Sequence, residues 1–357
     1  MSRRALTVHK PLVRLARRGA RDREHRQLQE DALETEGLIA ALAGGTGPII
    51  AGPWLAEVGY EVLYWIPFLR WFCDAHRVPR TRLVVLSRGG METAYRELAD
   101  RYVDIFDLLT PEELTARGQE RRALHEGGGQ KQSGLSPLDE QLLSAACRRA
   151  GADNTAAVLH PSLMFRLYRN AWHGALPMDL FWRHARYARM TLPVERAAVL
   201  SLPERYVAVK LYTGHSLAMS DENQAFLRAM IGRLASRTPV VTLETHFGLD
   251  EHRDLDLTGL AGVVSMAPHM TPRNNLAVQL GVVSRASRFI GACGGLAWLA
   301  PFLGVPSVGV FDDDHLLAPH LLVARQAGKQ TQAAEFSTLD LRAVGHVGLR
   351  SPSSFQS

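Results

Sequence analysis

Two carboxylates stand four residues apart in the run GPWLAEVGYEVLYWIPFLRW (Gly52–Trp71), with Glu57 and Glu61 on either side of Gly59. A carboxylate on a loop can serve as a general base, taking the proton of a hydroxyl as its oxygen attacks. Glu57 falls in the loop and is the first candidate catalytic residue; its alternative is helix capping. Glu61 falls in the first turn of the next helix, where it is either a second catalytic group or a charge that answers the helix dipole. Trp54 and Tyr60 are either stacking surfaces for a ligand ring or core aromatics.

Four further segments carry chemistry. In Arg288–Phe311 a buried strand runs into glycines Gly291, Gly294 and Gly295, and a helix opens at once. Gly294, Gly295 and Leu296 would let a phosphate approach the backbone N–H groups at the helix start. The same glycines also suit tight packing, and the spacing is not G-x-G-x-x-G. In VKLYTGHS (Val209–Ser216), Lys210 with Thr213, Gly214 and Ser216 could neutralise a phosphate; a plain loop lysine is the alternative. In TLETHFG (Thr242–Gly248), Glu244 and His246 follow a strand and face the carboxyl edge of a sheet, where ligands bind. The acids of Asp312–His315 do not share a face, so this run is read as a helix start, and no metal ligands are assigned.

Elements must position these groups. Short apolar runs at Pro48–Ala51, Arg82–Leu86, Tyr206–Leu211, Pro239–Leu243, Val263–Met266, Arg288–Ile290 and Ser307–Phe311 read as strands, with Tyr102–Leu109 as a strand and turn. Helical spacing covers 26–42, 61–76, 93–101, 136–149, 221–236 (Asp221 as N-cap), 271–286 (Thr271 as cap), 294–303 and 314–326. Strands alternating with helices predict parallel sheets. The expected organisation is a basic arm and helix (1–46), an α/β domain (47–170) with a polar, flexible surface loop (117–136), linker helices (171–202), a second α/β domain (203–345) and a tail (346–357). Two such blocks predict a cleft between them.

Charge and cysteine usage narrow the class. Residues 1–26 hold nine Lys/Arg against two acids, a net of +7, which leaves −2 for the remainder of a chain whose total is +5. The body is close to neutral, which argues against a nucleic-acid partner. The arm is a solvated tail or a peripheral contact with an anionic membrane. Three cysteines without C-x-x-C spacing fit a reducing cytoplasm. The 23 uncharged residues 289–311 are long enough to span a bilayer, but five glycines and two prolines mark them as strand–loop–helix–loop–strand.

The run NNLAVQ (Asn274–Gln279), the helix ending SRA (Ser284–Ala286) and FIGACGGLAWLAPFLGVPSV resemble the donor-binding half of GT-B glycosyltransferases, similar in layout to the heptosyltransferase and fucosyltransferase-like branches. The G-P-W-x-x-E-x-G-Y-E run resembles the acceptor side of GT-B-like proteins. The resemblance covers roughly 48–110 and 203–325. It implies two Rossmann-like parallel-sheet domains facing a cleft and a sugar passed from a nucleoside-diphosphate donor to a hydroxyl acceptor. It implies donor binding by Lys210, Thr213, Gly214, Ser216, Glu244, His246, Asn275, Cys293, Gly294, Gly295 and Leu296. The nucleotide sugar is a substrate, and neither cofactor nor metal is expected. In place of the Asp and Thr/Ser that the heptosyltransferase branch keeps before its loop glycine, this chain has Ala292 and Cys293. A nucleotide-sugar epimerase of the same fold and a non-catalytic membrane-docking protein are the competing readings.

Overall fold

The computed structural model describes residues 9–124, 132, 134–152, 156–172, 178–192, 202–218, 220–245, 247 and 252–345. Two parallel sheets organise them. The first comprises β1 (Ile49–Ala51), β2 (Leu83–Ser87), β3 (Arg101–Asp104) and β4 (Ala157–Leu159), in the order β3-β2-β1-β4. The second comprises β5 (Val207–Lys210), β6 (Val240–Thr242), β7 (Val263–Ser265), β8 (Arg288–Ala292), β9 (Ser307–Phe311) and β10 (Phe336–Asp340), in the order β10-β9-β8-β5-β6-β7. Ile49–Ala51 and Leu83–Ser87 are buried throughout, as strands covered on both faces must be.

The helices are α1 (His9–Gly44), α2 (Val58–Tyr60), α3 (Ile66–His76), α4 (Glu92–Tyr95), α5 (Pro111–Leu124), α6 (Pro137–Arg149), α7 (Pro161–Trp172), α8 (Met178–Arg183), α9 (Asp221–Ala235), α10 (Asn275–Arg285), α11 (Gly295–Leu299), α12 (Ala318–Thr331) and α13 (Leu341–Gly345). A π-helical stretch, Glu61–Trp65, joins α2 to α3. Pro67 has no N–H for the preceding turn, and the Tyr187 hydroxyl donates to the Leu63 carbonyl instead, at 2.6 Å. One large apolar core, which includes Trp65, Phe68, Phe181, Phe289 and Trp298, runs continuously through both sheets and α1. Smaller clusters fill the outer face of each sheet.

The two parallel-sheet α/β units and the cleft between them agree with the sequence expectation. Residues 289–311 form β8, α11, a 3₁₀ turn and β9, and among the described residues no helix is long and apolar enough to cross a membrane. Other expectations are corrected. The helix read from Arg26 starts at His9. Ser220, not Asp221, caps α9, because its hydroxyl accepts the Asn223 N–H. Asn274, not Thr271, precedes α10. α12 begins at Ala318, because the Asp313 side chain draws the His315 N–H into a turn. Residues 117–136 are not all surface loop: α5 runs to Leu124 and Gln132 is fully buried. Strands β4 and β10 were not anticipated.

Candidate functional site

The order of each sheet fixes where a ligand can go. In the second sheet the chain turns back between β8 and β5, and in the first between β1 and β4; crevices open at the carboxyl ends beside such reversals. Glu57 leaves β1, and Lys210 ends β5 level with Gly291 of β8. A cavity of about 100 Å³ lies between these ends, lined by Glu57, Val58, Gly59 and Arg88 from the first domain. The second domain contributes Lys210, Tyr212, Thr245, Phe247, His252, Asp254, Asn275, Leu276, Gln279, Phe289, Ala292 and Gly295–Ala297. Small-molecule sites usually offer roughly 300–1,000 Å³, so this cavity is at the small end for one.

The loop before Glu57 is stitched to its sheet. The Gly52 N–H donates to the Leu159 carbonyl and the Trp54 N–H to the Leu86 carbonyl. Gly52 has φ +133°, and a Cβ there would sit 2.4 Å from the Leu86 oxygen, so only glycine fits. Gln132 donates to the Pro53 carbonyl at 2.7 Å and accepts from the Leu55 N–H at 3.2 Å. Glu57 thus enters the cavity as the residue preceding α2, with the Tyr60 and Glu61 N–H groups on its carbonyl.

Glu61 takes another place. It is fully buried, and its Oε1 accepts from the Ser87 and Tyr95 hydroxyls, each at 2.5 Å. Burial pushes its carboxyl up to about 7 against the pull of those hydroxyls and of Arg88. It does not line the cavity. Trp54 is also fully buried, stacked between Trp65 and Phe165. Tyr60 sits on His320 of α12, its hydroxyl 3.0 Å from Nε2, while the Tyr64 hydroxyl bonds to Nδ1. Burial brings His320 down to about 4, and it lifts Tyr60 to about 12 with help from the Glu57 charge.

On the facing side, Lys210 Nζ donates to the Leu243 carbonyl at 2.9 Å and lies 3.4 Å from Asp254. The other Asp254 oxygen accepts the Thr245 N–H at 2.7 Å. The Tyr212 ring stacks on His252 with centroids 4.4 Å apart. Its hydroxyl stands over the glycine turn, 3.3 Å from where a Gly295 Cβ would be. Gly294 and Gly295 have φ +147° and +36°, conformations that side chains resist. Asn275 is buried at the cavity and donates to the Pro272 carbonyl at 2.6 Å.

Of the residues singled out from sequence, the cavity gathers Glu57, Lys210, Asn275, Gly295 and Leu296. Gly294 precedes α11 at its rim. The others do not line it. Thr213 exchanges bonds with Arg253, Gly214 bridges Leu217, and Ser216 bonds the Cys293 and Asp312 backbone. Glu244 follows β6 outside the cavity lining. Cys293 is buried with Sγ packed toward Gly309, and burial lifts its thiol to about 12, so it presents no thiolate. His246 lies outside the described residues. Among the described residues no group of three or more His, Cys, Asp or Glu is placed to hold a metal. Sequence reading missed Arg88, Tyr212, His252 and Asp254. Arg88 alone carried a signal: it sits between a β-branched strand and a Gly-Gly pair.

The domains also meet through main chain around the cavity wall. The Leu276 and Ala277 N–H groups, in the first turn of α10, donate to the Gly89 carbonyl at 2.9 and 3.2 Å. A Cβ on Gly59 would approach the Gly295 nitrogen to 2.7 Å, so α2 lies directly against the first turn of α11.

No family model matches this chain, and no curated protein does. Solved structures do. The iron-containing dodecameric glycosyltransferase TibC from enterotoxigenic E. coli H10407 aligns at 14% identity over 75% of this chain and 58% of its own, with a TM-score of 0.41. The chain thus spans little more than half of that protein's length. E. coli heptosyltransferase WaaC, solved with ADP-2-deoxy-2-fluoro heptose, aligns at 17% identity over 74% and 88%, with a TM-score of 0.42. A glycosyl transferase family 9 protein from Veillonella parvula DSM 2008 aligns at 14% identity over 85% and 88%, with a TM-score of 0.44.

Proposed function

We propose that this chain is a glycosyltransferase that moves a sugar from a nucleoside-diphosphate donor to a hydroxyl acceptor. One observation carries the reading: a single cavity between two parallel-sheet domains is lined by a loop carboxylate from one and by a lysine and a glycine turn from the other. Glu57 takes the acceptor proton as the acceptor oxygen bonds to the anomeric carbon. The bond from that carbon to the diphosphate oxygen breaks, and the leaving diphosphate keeps the electron pair. Lys210 and the N–H groups of Gly295 and Leu296 receive that charge. Glu57 and Lys210 stand on opposite domains and line one cavity, so base and leaving-group stabiliser face the same ligand. Calorimetric titration with ADP, UDP and GDP tests the reading; binding of at least one in the micromolar range is expected, and binding of none would sink it.

A further inference from the structure

We propose that the molecule carries a second ligand site, at the other end of α11 from the glycine turn, for a phosphate monoester with an apolar body. The site is a cavity of about 340 Å³. Its walls are Trp298, the 3₁₀ turn that follows α11 (Pro301 and Phe302), the last turns of α12, and the segment Gln332–Phe336 that leads into β10. It shares no residue with the cleft: Gly295–Ala297 line the cleft, and Trp298 lines this cavity. The proposal therefore stands apart from the glycosyltransferase reading. The volume falls within the roughly 300–1,000 Å³ usual for small-molecule sites.

The walls are tied to one another by main chain. The Ala334 N–H donates to the Pro301 carbonyl at 3.0 Å, and the Ala333 N–H to the Gly328 carbonyl at 2.9 Å. Small residues hold the space open: Ala324 and Gly328, one turn apart on α12, then Ala333 and Ala334. Close packing would fill such a space with a larger side chain at any of these positions. Trp298 and Phe302 are buried, and the half-buried Phe336 ring lies against Gly309 of β9. These rings offer an apolar body a surface to cover. The outer lining is charged. Arg325 and Lys329 are exposed and one turn apart, so both cations stand on one side of α12. Arg325 Nη2 reaches the Thr338 hydroxyl of β10 at 3.5 Å. The acid on the lining is Glu335, whose carboxylate accepts from the Ser337 hydroxyl at 2.7 Å. Two cations against one acid favour an anionic head, and the arginine fork suits phosphate oxygens. A free phosphomonoester and a lipid headgroup present the same chemistry here.

The test is calorimetric titration of the full chain with octyl phosphate, with inorganic phosphate and with 1-octanol, each alone. Octyl phosphate is expected to bind about tenfold or more tighter than either part, since methylene burial and the charged head both contribute. Gly328→Leu fills the space. A Cβ at Gly328 meets nothing nearer than the Ala333 Cβ at 3.9 Å, so α12 accommodates it. This variant is expected to weaken octyl phosphate binding about tenfold or more, with the melting temperature held or raised because leucine favours helix over glycine. Arg325→Gln combined with Lys329→Gln changes two exposed side chains and is expected to weaken binding several-fold. Sedimentation with phosphatidylcholine vesicles containing phosphatidic acid separates the sources. Vesicle binding that Gly328→Leu abolishes upholds the site with a lipid in it; octyl phosphate binding without such vesicle binding upholds it with a free phosphomonoester. Octyl phosphate no tighter than its parts, or wild-type affinity in Gly328→Leu or in the double variant, overturns the proposal, whatever the cleft binds.

Discussion

The Asp107 carboxylate receives Arg273 Nε at 2.5 Å and Nη2 at 2.8 Å, tying the turn after β3 of the first domain to the residues before α10 of the second. Arg149 reaches the same carboxylate at 3.2 Å. The Arg273 side chain is 57% exposed, so the pair is screened by water and salt. Asp107→Asn is expected to lower stability by no more than about 1 kcal/mol. Its larger effect falls on the domains. Small-angle scattering should show a greater radius of gyration in the variant, and in the wild type at high salt. Identical scattering curves would show that the pair does not hold the two domains together.

Gly59 measures how near the domains come. A valine there places Cβ 2.7 Å from the Gly295 nitrogen and 3.1 Å from the Trp298 ring. The backbone of α11 cannot yield, so α2 must move away from it. Nucleoside-diphosphate affinity is expected to drop by an order of magnitude or more, since the two walls of the cavity are pushed apart. Unaltered affinity in Gly59→Val, by calorimetry, would mean that the α2–α11 contact is not needed for binding.

Glu57→Gln removes the base and keeps the shape of the side chain. Transfer is expected to slow by about 10²–10⁴-fold, the usual contribution of a positioned proton acceptor. Donor affinity should stay where it was, because the proposed base acts on the acceptor hydroxyl and not on the diphosphate. Single-turnover rates with the accepted nucleotide sugar separate the two quantities, and a wild-type rate removes Glu57 from the mechanism.

His320 makes folding sensitive to acid. Burial brings its titration from the ordinary 6.5 down to about 4. The unfolded chain therefore holds more protons than the folded one between those values, so stability is whole above about 6.5 and declines as pH falls toward 4. At 1.36 kcal/mol per unit the full amplitude is about 3 kcal/mol. Glu61, raised to about 7, slopes the opposite way above the ordinary carboxylate value, so total stability conceals both effects. Denaturant midpoints of His320→Phe, subtracted from wild type across pH 4–7, isolate the histidine. The variant should lose about 1–3 kcal/mol at neutral pH, from orphaned Tyr60 and Tyr64 hydroxyls, and should be less dependent on acid.

Gln132→Ala leaves the Pro53 carbonyl and the Leu55 N–H without their buried partner. A cost of about 1–3 kcal/mol is expected. The transfer rate should fall with it, because the same loop presents Glu57. Thermal melting and rate measurements on one preparation check both.

Strand positions were readable because buried parallel strands are short apolar runs ended by glycine: YVAVKL and the segment around Phe289 needed nothing more. Lys210 and Leu296 followed, since carboxyl ends of parallel strands face the cleft whatever lies between. β4 and β10 were hidden because Ala157–Leu159 and Phe336–Asp340 are too short or too polar to stand out before a neighbour pairs with them. Arg88 was passed over because an arginine after a strand is ordinarily exposed, and only the packed structure shows this one buried at the cavity. Cys293 was placed correctly in the turn, but side-chain direction depends on β9, where Gly309 leaves room for sulfur. Gln132 sits in a Gly-rich polar stretch, and composition alone could not show that one amide there reaches the core.

The contact between Gly89 and α10 is made of main chain on both sides. Every amino acid except proline supplies the same N–H, and every one supplies the same carbonyl. Gly89 and Gly90 have φ +69° and +80°, and Cβ atoms there would strike the Asn275–Ala277 turn. The joint therefore leaves the loop almost no room for a side chain, because Leu276 and Ala277 meet it with side chain as well as main chain. Variation at this seam would have to fall outside Gly89 and Gly90, because a side chain added there would drive one wall of the cleft away from the other.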